Sequence, residues 1–170
     1  MGWLAERMLA HGGFGILAAV LLLPALEAAL PIVGALLPGQ TAVVLSGVLA
    51  SHGHVTVEAV LLTALVGAVL GNLAGYAIGS RWSERLMARV TSRTRHRRFT
   101  ERALGLIERQ GGGAVFVGRF TAVLRTLVPT LCGATGMPLR RYLLWSVLSS
   151  AVWAPAFVLI GYLLGPAGPG

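Results

Sequence analysis

The chain has 170 residues, of which 55% are hydrophobic and 12% charged, with a mean hydropathy of +0.76. A soluble domain carries about a quarter charged residues, so the composition excludes an ordinary soluble globule and points to a membrane protein. The 14 basic residues are all arginine and the 6 acidic residues all glutamate, a formal charge of +8. The arginines flank apolar segments, so a lipid surface is the expected partner and nucleic acid is not.

The first stretch, MGWLAERML, lacks a basic segment followed by a cleavage site, and no cleaved signal peptide is expected. Residues 12–51 are too long for one span and are punctuated by Glu27, Pro31, Pro38 and Gly39. Two helices of roughly 12 to 16 residues would reach only part way or just across a bilayer. Interrupted backbone at membrane depth survives only where protein or a wet cavity covers it. A re-entrant hairpin is therefore predicted, with two ordinary crossings as the alternative.

Residues 59–80 carry no charge, and 22 residues of helix span roughly 33 Å. A crossing is predicted over about 56–79. Within it Gly67, Gly71, Gly75 and Gly79 recur every fourth residue. They form a smooth strip for close helix approach, or a groove for a lipid chain.

Residues 81–110 hold nine arginines. Arg81, Arg85, Arg89, Arg93 and Arg97 fall at i, i+4 spacing beside Trp82, Leu86 and Val90. This predicts a basic amphipathic helix lying on anionic head groups, on the cytoplasmic side. Residues 112–136 are interrupted by Arg119, Arg125, Pro129 and Gly133 and read as a second hairpin. A second crossing is predicted over about 141–164, with Arg140 and Arg141 at its cytoplasmic start.

The chain also repeats. GYAIG at 75–79 recurs as GYLLG at 161–165, and SG at 46–47 recurs as CG at 132–133, both 86 positions on. The expected fold is an all-α integral membrane protein, one domain over 1–170. It is an inverted repeat of re-entrant helical hairpin plus transmembrane helix, with halves at about 12–80 and 112–165. The basic cytoplasmic helix of 81–110 joins them, and both termini lie outside. A homo-oligomer is compatible with this architecture.

Three ionisable residues remain at depth: Glu27, Arg119 and Arg125. Each costs at least ~2.5 kcal/mol at a helix centre, and such residues usually line a cavity or pair. Arg119 and Arg125 stand about 240° apart on a continuous helix. A break between them lets both point into one cavity, where their planar forks match phosphate oxygens. Glu27 can take up a proton; arginine cannot. The structural alternative has the arginines bonding carbonyls freed at Pro129 and Glu27 capping amides near Pro31. An enzyme is not expected: His11, His52, His54 and His96 sit near proposed membrane edges or in the basic loop, and there is no Asp. A membrane phosphatase would need a nucleophile beside the arginines. The single Cys132 allows neither a disulfide nor a metal cluster, and no cofactor is implied.

Three segments resemble the DedA family of membrane proteins (VTT domain, also called SNARE-associated). They are LEAALPIVGALLPGQTAVVLSGVLASHG, GAVLGNLAGYAIGSRW and FVGRFTAVLRTLVPTLCGATGMPLRRYLLWSVLSSAVWAPAFVLIGYLLG. The pattern G-R-F-x-x-x-x-R-x-x-x-P is the most specific. The resemblance implies a bacterial inner-membrane, multi-pass lipid flippase or scramblase built from inverted hairpin-plus-helix halves. It implies movement of a phosphate-bearing lipid such as undecaprenyl phosphate, in a proton-coupled manner. The alternatives are phosphatidylethanolamine or other phospholipid scrambling, a lipid phosphatase, and a structural membrane-homeostasis protein. The family Glu maps to Glu27 and its two arginines to Arg119 and Arg125, with Pro38 and Pro129 in the adjoining motifs. Gln40 and Asn72 stand where many members have acids, which leaves Glu27 alone for proton coupling. The chain stops at Gly170, where many members continue with another helix.

Overall fold

The computed structural model describes residues 2–30, 37–82, 94–121 and 124–165, excepting the side chains of 2–11, 94–100 and 103. Among the described residues all regular structure is helical. The helices are α1 (Gly2–Ala29), α2 (Gly39–Ser51), α3 (Val57–Arg81), α4 (Thr94–Gln110), α5 (Gly113–Arg119), α6 (Leu124–Ala134) and α7 (Leu139–Leu164). The fold is all-α, and the two expected crossings appear as α3 and α7 within about two residues of their predicted ends.

Local chemistry sets these ends. Thr56 caps α3 by accepting the Ala59 N–H at 3.3 Å, and Glu58 lies in its first turn, where a negative charge suits the helix dipole. Pro38 and Pro138 hold the N-cap positions of α2 and α7. The turn between α2 and α3 passes through Gly53 at φ +76°, a conformation that favours glycine.

Two expectations about helix breaks are corrected. α1 runs unbroken through Pro24 and Glu27 to Ala29, so the first arm is not a helix of 12 to 16 residues. By length and composition alone, three helices can cross a membrane (Gly12–Ala29, Val57–Arg81 and Leu139–Leu164), against the two expected. In the second hairpin α6 passes through Arg125, Pro129 and Gly133; the helix stops after Arg119 instead. Neighbouring helices stabilise prolines inside membrane helices, so a proline alone need not end one.

Glycines set the close packing. A Cβ on Gly67 or Gly71 would sit 2.5 Å from the carbonyl oxygen of Leu21 or Ala25, and one on Gly75 2.6 Å from that of Ala28. α1 therefore runs parallel to α3 in backbone contact. Further along, Gly79 faces the Thr130 carbonyl and Gly133 faces Tyr76 and Ser80, which seats α6 on α3. Protein thus fills the glycine strip, which is not an open lipid groove. On the other side Gly161 faces Val44, and Gly47 faces Val158 and Tyr162, which seats α2 on α7. Gly47 and Gly133 stand 86 apart, and so do Val44 and Thr130. The packing is thus crosswise, α2 lying on α7 and α6 on α3. Small residues at such contacts let backbones approach within van der Waals and Cα–H···O distance.

Polarity is distributed inside out. Leu22, Leu62, Val66, Leu70, Leu144, Leu159 and Leu163 are exposed, while Asn72, Thr126, Ser146, Ser149 and Ser150 are buried. An apolar exterior of this extent is not found on soluble monomers. One core joins Val20, Val43, Val60, Ala68 and Val158. A second joins Val115, Val128, Leu131 and Tyr142, with Leu104 and Ile107 of α4 packed against it. The apolar side of α4 thus rests partly on protein. Of the basic stripe, Arg81 ends α3 and Arg97 lies in α4. Arg85, Arg89 and Arg93, with Leu86 and Val90, lie outside the described residues, as does Pro31.

Candidate functional site

The ends of four helices converge beside the middles of α3 and α7. Glu27 stands in the last turn of α1 and is only 4% exposed. Gly39 opens α2, and its backbone N–H donates to the Glu27 carboxylate; a Cβ at Gly39 would collide with that carboxylate and with the Pro24 backbone. Arg125, in the first turn of α6, reaches across. Its Nη2 pairs with Glu27 Oε1, and its Nη1 donates to Gln40 Oε1 at 2.5 Å.

Arg119, the last residue of α5, is 8% exposed, and its Cζ lies 4.8 Å from the centre of the Trp153 ring. Guanidinium over indole is a favourable cation–π arrangement, stronger when desolvated. The Nε atoms of both arginines are buried without a hydrogen-bond partner.

The long helices contribute neutral groups. Asn72 Nδ2 donates to Ser146 Oγ at 2.8 Å, and the Tyr142 hydroxyl donates to the Asn72 carbonyl at 2.9 Å. Tyr142 stacks on Tyr76 with ring centres 4.7 Å apart, and the Tyr76 hydroxyl donates to the Met137 carbonyl at 2.5 Å. Asn72 is the sixteenth of 25 residues in α3, and Trp153 the fifteenth of 26 in α7. Both stand near mid-helix.

These groups line a small, partly open cavity of about 20 Å³, bordered by Pro24, Glu27, Ala28, Asn72, Arg119, Arg125 and Trp153. Two guanidiniums against one carboxylate give it a formal charge of +1. In a site of low dielectric that excess acts strongly on an anion. The break after Arg119 is what lets both arginines face one cavity, as the spacing predicted.

Five of the seven residues singled out from sequence meet here: Glu27, Gln40, Asn72, Arg119 and Arg125. Pro38 is exposed at the start of α2 and does not line the cavity. Pro129 lies inside α6, its ring 3.0 Å from where a Gly75 Cβ would stand. It packs α6 on α3 and, lacking an N–H, leaves the Arg125 carbonyl without its helical donor; the Arg125 guanidinium meets Glu27 and Gln40 and that of Arg119 meets Trp153. Trp153, Pro24 and Gly39 were missed. Among the described residues no cluster of His, Cys, Asp or Glu could hold a metal.

Residues 37–163 match the family model of the VTT domain. The chain belongs to the DedA family. A DedA assignment fits its curated relatives. An uncharacterised membrane protein of Synechocystis is 33% identical over 130 residues, covering 76% of this chain and 60% of its own length. Protein DedA of Escherichia coli is 27% identical over 131 residues, with the same coverages. Inner membrane protein YohD of Escherichia coli is 33% identical over 134 residues, covering 79% of this chain and 68% of its own. The chain thus spans about three fifths of the length of the first two. No solved structure matches it. As a DedA-family member with three apolar helices long enough to cross, it is a multi-pass bacterial membrane protein. Arg119, Arg125, Gln40 and Asn72 fall inside the matched stretch; Glu27 precedes it.

Proposed function

We propose that this protein moves a phosphate-bearing lipid between leaflets, with undecaprenyl phosphate, recycled for envelope synthesis, as the first candidate substrate. The observation that carries this reading is the pair of arginines, Arg119 buried and Arg125 partly so, formally in excess of their carboxylate, near the middle of both long helices. A membrane itself supplies one abundant class of anion at that depth: a lipid head group entering from the side. The role is transport without bond chemistry.

The contact registers support a re-entrant, inverted architecture. Gly13 of α1 lies level with His54 and Val55, just before α3 starts, and Ala28 lies level with Gly75. α1 therefore ends about five residues, roughly 7.5 Å, short of the end of α3. α2 returns along the second part of α7, from Val158 to Gly165. The second hairpin approaches from the opposite end, its Arg119 meeting Trp153 in mid-helix. Each hairpin then enters and leaves by one face, and the faces are opposite. The arginines at Arg81 and Arg97, with those between them, gather anionic head groups at the cytoplasmic face.

In the resting state Glu27 occupies the anion site through Arg125. An entering phosphate displaces it, and a carboxylate stripped of its arginine in a dry cavity becomes a proton acceptor. Substrate entry and proton uptake are thereby linked at Glu27. The test is flipping of a fluorescent polyprenyl phosphate in liposomes across a pH series. Glu27→Gln is expected to fold, to lose most of the rate and to lose its pH dependence. A variant with unaltered rate and pH profile would make Glu27 a structural cap and remove the mechanism.

A further inference from the structure

Trp153 carries a feature that holding Arg119 does not explain. Its side chain is 3% exposed and lines the cavity, yet its indole Nε1 is fully buried without a hydrogen-bond partner. A buried N–H without a partner forfeits about 1–3 kcal/mol. A phenylalanine would present a similar face to the guanidinium without that cost. Tryptophan also usually sits at the membrane interfaces, where its N–H meets water; here it is in mid-helix. The unpartnered polar atoms of the cavity's lining are mostly donors: Arg119 Nε, Arg125 Nε and Trp153 Nε1. The remaining one, Glu27 Oε1, already faces Arg125 in the ion pair, so the donors left over call for a ligand made of acceptors.

We infer that Trp153 contacts the ligand directly, its indole N–H donating to an oxygen of a phosphate monoester while its ring face holds Arg119 in place. This rests on the phosphate reading above and deepens it. The residue then has two separable functions. The ring positions Arg119, which phenylalanine preserves in part; the N–H selects for an acceptor, which only tryptophan supplies among the large aromatics of this shape. A neutral donor adds recognition without adding charge. The formal +1 of the site therefore needs no further cation to hold a head group of two negative charges while still releasing it.

The protein contains four tryptophans, so indole-¹⁵N labelling gives four N–H resonances, and the one missing in Trp153→Phe is assigned to Trp153. Should that variant fail to fold, single replacements of Trp3, Trp82 and Trp145 assign it by elimination. Purified protein in nanodiscs is titrated with decyl phosphate, inorganic phosphate and decanol, with calorimetry in parallel. The expected result is a saturable downfield shift of the Trp153 resonance with decyl phosphate and none with decanol. Trp153→Phe should bind decyl phosphate at least about tenfold more weakly, the scale of a hydrogen bond to a charged group. A shift with decyl phosphate alone identifies a lipid head group; a shift with inorganic phosphate as well identifies the phosphate itself; both support the contact. Calorimetric binding that leaves the Trp153 resonance unmoved overturns the contact and leaves the phosphate reading standing. No calorimetric binding of either phosphate overturns both.

Discussion

The ion pair between Glu27 and Arg125 joins one hairpin to the other, and its removal should be costly in a specific way. Arg125→Met deletes the cationic partner of a carboxylate that is 4% exposed and takes the donor from Gln40. Removing one member of a buried pair typically destabilises by about 3–5 kcal/mol, because the other is left charged and dry. Glu27→Gln is milder, because an amide oxygen still accepts from Arg125 and from Gly39; about 1–3 kcal/mol is expected. The double variant buries neither charge of the pair. It should therefore fall short of the sum of the single effects by at least about 1.5 kcal/mol, within the range for contacting residues. A control cycle between Glu27 and Arg119, whose guanidinium lies against Trp153, should give half that coupling or less. The assay is equilibrium unfolding of detergent-purified protein with rising SDS, followed by far-ultraviolet circular dichroism. Additivity of Glu27→Gln and Arg125→Met within about 0.5 kcal/mol would mean that the pair is not formed in the folded protein.

Arg119→Lys and Arg125→Lys should each insert normally and each slow transport. Lysine keeps the charge but loses the planar fork and its fit to the indole face; normal flipping by both in liposomes would leave generic charge sufficient. Gly79→Val places a branched side chain against the Thr130 carbonyl and should abolish monodisperse protein on size-exclusion chromatography, while Gly105→Val, where a Cβ meets nothing within 4 Å, should not. Gln40→Glu takes the formal charge of the cavity from +1 to 0 and should weaken decyl phosphate binding at least several-fold by calorimetry. Cysteines placed at 93–97 should react with a membrane-impermeant maleimide only after the cytoplasmic face is opened.

How far the sequence could be read depended on the range of the signal. The ends of α3 and α7 were legible because a charge-free window of more than 20 residues has one stable home. The strip Gly67–Gly71–Gly75–Gly79 was legible because its period matches a helix face, and α1 and α6 do fill it. The shared cavity of Arg119 and Arg125 followed from their angular separation on a helix. Proline misled: Pro129 removed one backbone bond, and packing on α3 kept α6 intact. The bond from Arg125 to Gln40 spans 85 positions, and no local pattern encodes it. Trp153 did leave a signal in the sequence, a tryptophan in the middle of an apolar helix rather than near an interface.

The charged groups of the cavity all sit on hairpin ends, whereas α3 and α7 offer only the neutral Asn72 and Trp153. Separating the hairpins would therefore separate Glu27 from Arg125, and in the proposed transport cycle the pair would act as a latch between them. A phosphate that takes Arg125 competes with Glu27 for the same donors, so ligand binding and unlatching share one free energy and must favour each other. Glu27→Gln then has opposite effects on binding and turnover. It raises the formal charge of the cavity from +1 to +2 and removes the competitor, so decyl phosphate should bind several-fold more tightly by calorimetry. Release has then lost the carboxylate that would displace the ligand, so the flipping rate should fall. Weaker binding together with slower flipping would mean that Glu27 supports the shape of the site rather than competing within it, and the latch would have to be abandoned.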